Sequence, residues 1–309
     1  MNKEPECGQW NLPKGARARL VKGDPSIALS CAYSRDGRAL ATGHRDGAIR
    51  LWDAYTGALM KSLRGHIGDV NSVSFSPDGR TLASAGDDET VRLWSVHTGA
   101  LQKTLKGHID WALSVDFSPD GETVVSVGDD GAIRVWNAST GGCETVLNEA
   151  HADLINCVAY SPDGKTLASR SDDLSVRIWD VQTRARLRTL IGHADDVNGV
   201  SYSPDGRFLA SCGADQKITI WNLASGEVQK TLIGHESELY GIAYSPDGRF
   251  LASCGADKAV WVWDVQTGAP KAGLKGHNGN VYEAAFSPDG KTLATASHDG
   301  TVLLWTVQS

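Results

Sequence analysis

Serine or threonine, histidine and aspartate recur in this chain at fixed distances. In a single copy they would suggest a hydroxyl nucleophile activated by an oriented imidazole. Asp46, Asp88, Asp130, Asp173, Asp215, Asp257 and Asp299 each lie six residues before a tryptophan, at Trp52, Trp94, Trp136, Trp179, Trp221, Trp263 and Trp305. Ten before each tryptophan stands a hydroxyl: Thr42, Ser84, Ser126, Ser169, Ser211, Ser253 and Thr295. Twenty-eight before stand His66, His108, His151, His193, His235 and His277, with Asp24 replacing histidine in the first repeat. Chemistry needs its centre once. Six copies tied to a tryptophan belong to the scaffold, so no catalytic residue is expected among them.

The elements that position these groups follow from the tryptophan gaps of 42, 42, 43, 42, 42 and 42 residues, a period that indicates a repeat architecture. Within Gly65 to Gly107, Val70, Val73 and Phe75 mark a first short strand, and Ser76-Pro77-Asp78-Gly79 is a tight turn. A second strand runs from Thr81 to Ala85, a third from Thr90 to Trp94 and a fourth from Leu101 to Leu105, with turn residues between them. No segment shows helical spacing of apolar residues. A lone four-stranded sheet leaves a face uncovered, whereas seven packed around an axis cover each other.

The Ser-Pro-Asp-Gly turn recurs at 76–79, 118–121, 161–164, 203–206, 245–248 and 287–290, with Ser-Arg-Asp-Gly at 34–37. Trp-Asp stands at 52–53, 179–180 and 263–264. On these landmarks the chain resembles the WD-repeat β-propellers, and its near-identical turns resemble prokaryotic members. The resemblance implies an all-β fold, a seven-bladed β-propeller of four-stranded antiparallel blades. It also implies that the Trp, Ser/Thr, His and Asp sets are structural hydrogen-bond chains.

Residues 16–22 read as a fourth strand without its first three, and the C-terminus lacks a fourth strand after Trp305. The N-terminal strand is therefore expected to complete the last blade, when Gly15–Asp24 is aligned with Gly57–His66. The propeller domain then spans 15–309, and 1–14, with Trp10-Asn11-Leu12, is a redundant remnant of a preceding repeat. Lys14, Arg17, Arg19 and Lys22 alternate along that outer edge and are read as guards against edge pairing.

A net charge of -7 and a pI near 5.7 disfavour nucleic acid as a partner. No apolar run is long enough to span a membrane, and Met-Asn-Lys-Glu-Pro-Glu lacks a secretory signal. Six cysteines without a CxxC pair are read as buried free thiols, and a cytoplasmic, bacterial, monomeric protein is expected. No cofactor or metal is expected; His44, His298 and Arg45 are read as a chance cluster.

The resemblance places partner contacts at three slots per blade: three and five residues after the histidine, and one before the shared aspartate. These slots carry Asp69, Asp87, Asp129, Asp172, Asp196 and Glu238, with Trp111, Tyr240 and Tyr282 among them. Aromatics beside unpaired carboxylates suit a Lys- or Arg-bearing peptide. The expected function is a non-catalytic protein- or peptide-binding scaffold for basic partners. Two rivals are a sensory module of a larger bacterial regulator and a propeller enzyme with an axial site. The axial positions Ala32, Ser74, Ala159, Ser201, Ala243 and Ala285 are small, with Asp116 as the exception. Trp261 stands where Arg50, Arg92, Arg134 and Arg177 stand in other repeats, and is read as packing between blades.

Overall fold

The computed structural model describes residues 15–20, 26–147 and 150–307, which form seven four-stranded antiparallel sheets. Blade two is representative: Val70–Phe75, Thr81–Gly86, Thr90–Ser95 and Leu101–Lys106 pair in sequence order. Its first turn is locked by its own side chains. The Ser76 hydroxyl donates to Asp78 at 2.6 Å and accepts from the Thr81 amide at 2.9 Å, while Gly79 adopts φ 69°. Apolar residues of the inner strands, Leu and Ala in the second and Val, Ile and Leu in the third, alternate between the two faces of the sheet, so each face presents an apolar row to the next blade. Thus Ala41, Ile49, Leu51 and Leu63 of blade one pack on Val73, Phe75, Leu82 and Trp94 of blade two.

One irregularity recurs in the first strand of every blade. Val70 pairs with Gly86 but Ser72 pairs with Ala85, leaving Asn71 as an extra residue; the other six blades repeat this. Such a bulge turns two consecutive side chains toward the same side. Here Asn71 and Ser72 both reach the axial cavity.

The ring closes as the sequence implies. Ala16–Leu20 pairs antiparallel with Val302–Thr306 and completes the blade of Val281–Phe286 and Thr292–Ser297. Its register differs by one residue from the sequence alignment, which equates Val21 with the buried Leu63. In the structure Leu20 pairs with Val302 as Leu63 pairs with Ile49. Leu20 fills the apolar slot among Ala294, Ala296 and Leu304. Arg17 is more than an edge guard. Its Nη2 donates to the carbonyls of Ala54 at 3.1 Å and Tyr55 at 2.8 Å, strapping blade seven to blade one. Lys230 does the same between blades five and six, reaching Val265 and Gln266 carbonyls at 3.0 and 2.7 Å. The remnant proposed for 1–14, and Asp24, lie outside the described residues.

Among the described residues no helix is long and apolar enough to cross a membrane. The cysteines are free there, but not uniformly buried: Cys31, Cys212 and Cys254 are, Cys157 is half-buried and Cys143 is exposed.

Candidate partner-binding face

The recurring polar set forms a continuous chain in each blade. In blade two the Trp94 indole N–H donates to Ser84 Oγ at 2.8 Å, Ser84 meets His66 Nε2 at 2.7 Å, and His66 Nδ1 meets Asp88 at 2.9 Å. An indole can only donate, so the serine accepts from it and passes its own proton to Nε2. Nδ1–H then faces the carboxylate. Ser84 is fully buried with both roles committed, which leaves it no freedom to attack a substrate. The same links run through Trp136–Ser126–His108–Asp130, Trp179–Ser169–His151–Asp173, Trp221–Ser211–His193–Asp215, Trp263–Ser253–His235–Asp257 and Trp305–Thr295–His277–Asp299.

Blade one solves the problem differently. Trp52 donates to Thr42 at 2.9 Å, and Thr42 meets Nε2 of His44 at 2.7 Å. His44 Nδ1 ends the chain on the Ser26 carbonyl at 3.1 Å. The imidazole comes from a different position in the repeat yet occupies the same link. Burial lowers its pKa to about 4, so it is neutral. Asp46, free of a histidine, pairs with Arg50 at 2.7 Å instead. His44 is therefore scaffold, and the cluster drawn from sequence disperses: Arg45 binds Asp69 at 3.0 Å and His298 Nδ1 meets the Tyr282 hydroxyl at 2.8 Å.

Burial alone would raise the Asp88 carboxyl, but hydrogen bonds from His66 and Thr90 outweigh it and hold it far below the usual carboxylate range. Asp130, Asp173, Asp257 and Asp299 are lowered in the same way. A depressed folded pKa stabilises the fold above the unfolded value of about 3.9, and that stability is lost as pH falls toward the folded value. Asp88→Ala should cost about 2–3 kcal/mol, because it strands the imidazole N–H and the Ile67 and Thr90 amides. Denaturant titration should show that penalty near neutral pH and a progressively smaller one as pH falls below about 3.9, where the unfolded carboxyl takes up a proton that the folded one still resists. A constant gap between the two proteins would contradict the assignment.

On the upper face the residues five after each histidine meet at the axis. Leu29, Asn71, Leu113, Asn156, Asn198, Tyr240 and Tyr282 all line one cavity mouth. Tyr240 and Tyr282 pack at 5.5 Å between ring centroids. The expected carboxylates are less alike than the sequence suggests. Asp69 is paired with Arg45, so it is not free. Asp87 accepts from Asn71 at 2.9 Å, Asp172 accepts from Asn156, and Glu238 accepts from Tyr240 at 3.1 Å. Asp129 and Asp196 make no side-chain hydrogen bond or ion pair among the described residues. Burial and the charges of Asp110, Asp130 and Asp153 raise Asp129; burial, Asp195, Asp153 and Glu238 raise Asp196.

Sequence comparison of the slots passed over Asp110, Asp153 and Asp195, which face these positions from the neighbouring loops. It also passed over Ile67 and Ile109, the residues just after two of the histidines. They are 78% and 79% exposed, and Trp111 is 51% exposed. Trp261 stacks on Trp263 at 5.8 Å with its edge toward His235 at 6.1 Å. It lies over the chain where Arg92 covers Asp88 in blade two.

Inside the axis, sequence reasoning found Asp116, which burial raises to about 6 despite hydrogen bonds from the Tyr160 amide and Ser74. It missed Arg170 and Glu283, both of which line the axial cavity. The available signal was their slot: Arg170 replaces Cys212 and Cys254, and Glu283 replaces Gly199 and Gly241, of neighbouring repeats.

A closed ring of seven four-stranded blades, six with an indole-to-carboxylate chain and one whose chain ends on a main-chain carbonyl, defines a WD-type β-propeller. The WD domain, G-beta repeat matches residues 19–53, 57–95, 99–137, 141–180, 184–222, 226–264 and 268–306, and the chain belongs to that family. Each match takes in an outer strand and the inner strands of the next blade, the same offset that closes the ring. A 37-residue stretch is 49% identical to WD repeat-containing protein 70 of Xenopus laevis, covering 12% of this chain and 6% of that protein. WD-repeat propellers typically serve as protein-interaction scaffolds and are generally non-catalytic.

Proposed function

We propose that this propeller is a non-catalytic scaffold that holds a basic peptide or protein segment across the upper face of blades three to six. One observation carries the reading. Asp110, Asp129, Asp153, Asp172, Asp195, Asp196 and Glu238 have no lysine or arginine within ion-pair distance among the described residues. Three of them are raised in pKa partly by the charges of the others. A partner bringing Lys or Arg would relieve that repulsion. Trp111 offers a broad ring that a guanidinium can stack on and an apolar residue can cover.

A fluorescently labelled Lys/Arg-rich peptide pool, titrated against the protein, should bind at least about tenfold more tightly than an Asp/Glu-rich pool of equal length. Its affinity should fall as salt rises, since the Debye length shrinks from ~10 Å at 0.1 M to ~3 Å at 1 M. Equal binding of the two pools would contradict the proposal.

A further inference from the structure

Below the tyrosines lies a polar cavity of about 140 Å³ on the propeller axis. Two of the residues lining it are glycines with no room for a side chain. A Cβ on Gly199 would come within 2.7 Å of Cys212 Sγ, and one on Gly241 within 2.8 Å of both Cys254 Sγ and the Tyr282 carbonyl. Both glycines are packed against the buried thiol of their own blade and leave the axial wall of blades five and six without a side chain at this slot.

Two oppositely charged side chains face this space. In blade four the slot of those thiols holds Arg170, whose Nη1 donates to the Val197 carbonyl at 2.8 Å. Its Nη2 makes no hydrogen bond, and no carboxylate lies within 4.0 Å of the guanidinium, among the described residues. In blade seven the slot of the glycines holds Glu283. One of its oxygens accepts from the Cys31 amide at 2.9 Å, and the other has no protein partner among the described residues. The guanidinium and the carboxyl feel each other, since Arg170 partly offsets the burial that raises Glu283 to about 7. Yet they do not pair. Each keeps unused hydrogen-bonding capacity toward one shared cavity, which costs free energy unless something fills it.

A simple anion would meet Arg170 but must pass Asp172 and Asp196, which border the vestibule above. A simple cation would meet Glu283 but be repelled by Arg170. A molecule with both charges satisfies both walls. A cavity of ~150 Å³ holds benzene, so about five to eight heavy atoms fit. We propose that the axial cavity binds a small zwitterionic α-amino acid, its carboxylate on Arg170 and its ammonium on Glu283. The Asn156 and Asn198 amides, at the mouth, complete the polar lining.

Calorimetric titration of the intact protein with glycine, L-alanine, L-serine and L-threonine tests this, with acetate, methylammonium and the amino-acid methyl esters as single-charge controls. At least one amino acid should bind, and every control should bind at least about tenfold more weakly. Arg170→Gln and Glu283→Gln should each lose about tenfold or more, with the circular dichroism spectrum of the folded ring unchanged. Trp111→Ala should bind the amino acid as wild type does, which separates this site from peptide docking on the rim. No amino acid binding, or controls binding equally to the wild-type protein, overturns the proposal irrespective of how the variants fold. Folded variants with unaltered affinity would overturn it too.

Discussion

Deleting residues 1–23 should open the ring and lower its stability by about 5 kcal/mol or more, while deleting 1–9 should leave stability nearly unchanged. Among the described residues Ala16–Leu20 is the only strand paired to the outer side of Val302–Thr306. Its loss removes the buried Leu20, at about 1.5–3 kcal/mol. It also removes the Arg17 strap to blade one, at about 1 kcal/mol per bond. The remainder comes from exposing Val302 and Leu304, now buried behind that strand. Against a typical total of about 5–15 kcal/mol, the longer deletion is close to unfolding the domain. Thermal melting of the two truncations distinguishes them, and equal melting temperatures would refute this closure.

The second large effect is on binding. Trp111→Ala combined with Asp129→Lys should weaken a basic partner at least about a hundredfold without unfolding the ring. A half-exposed tryptophan beside carboxylates is the type of residue whose truncation costs about 2–4 kcal/mol at an interface. Reversing Asp129 converts an attraction into a repulsion in a field already crowded by Asp110, Asp130 and Asp153. The fold should tolerate both changes. Trp111 contributes to its blade through a main-chain carbonyl, which accepts the Asp129 amide at 2.9 Å. Asp129 Oδ1 has no partner to lose. Fluorescence titration alongside a melting curve separates the two outcomes. Wild-type affinity in a folded double variant would place the partner elsewhere.

What the sequence made legible is what repeats. The 42-residue spacing exposes seven units, and the missing strands at the two ends complement each other, so the architecture and its closure follow without coordinates. Substitutions between different positions of the repeat are not legible this way. His44 restores an imidazole lost at Asp24, but it does so from two residues beyond Thr42, and only the fold shows that the two routes meet. The closing register moved by one residue because Leu20 fills the apolar slot, a question of volume that alignment of glycines does not ask.

The face was half legible for a related reason. Slot comparison finds residues that differ from their counterparts, and so found Trp111, Asp129 and Asp196. It does not find pairing between blades, and so treated Asp69 as free although Arg45 of the preceding blade neutralises it. Nor does it show that Arg170 of blade four and Glu283 of blade seven line one axial cavity, since that depends on how the blades are set around the ring.

Hydrogen exchange of the protein with and without a bound basic peptide maps the contact surface directly. The upper loops at 108–113, 128–131, 152–156 and 194–198 should gain protection, and the Ser-Pro-Asp-Gly turns on the opposite face should not. Protection confined to those turns or to the outer strands would contradict an acidic, tryptophan-anchored docking face.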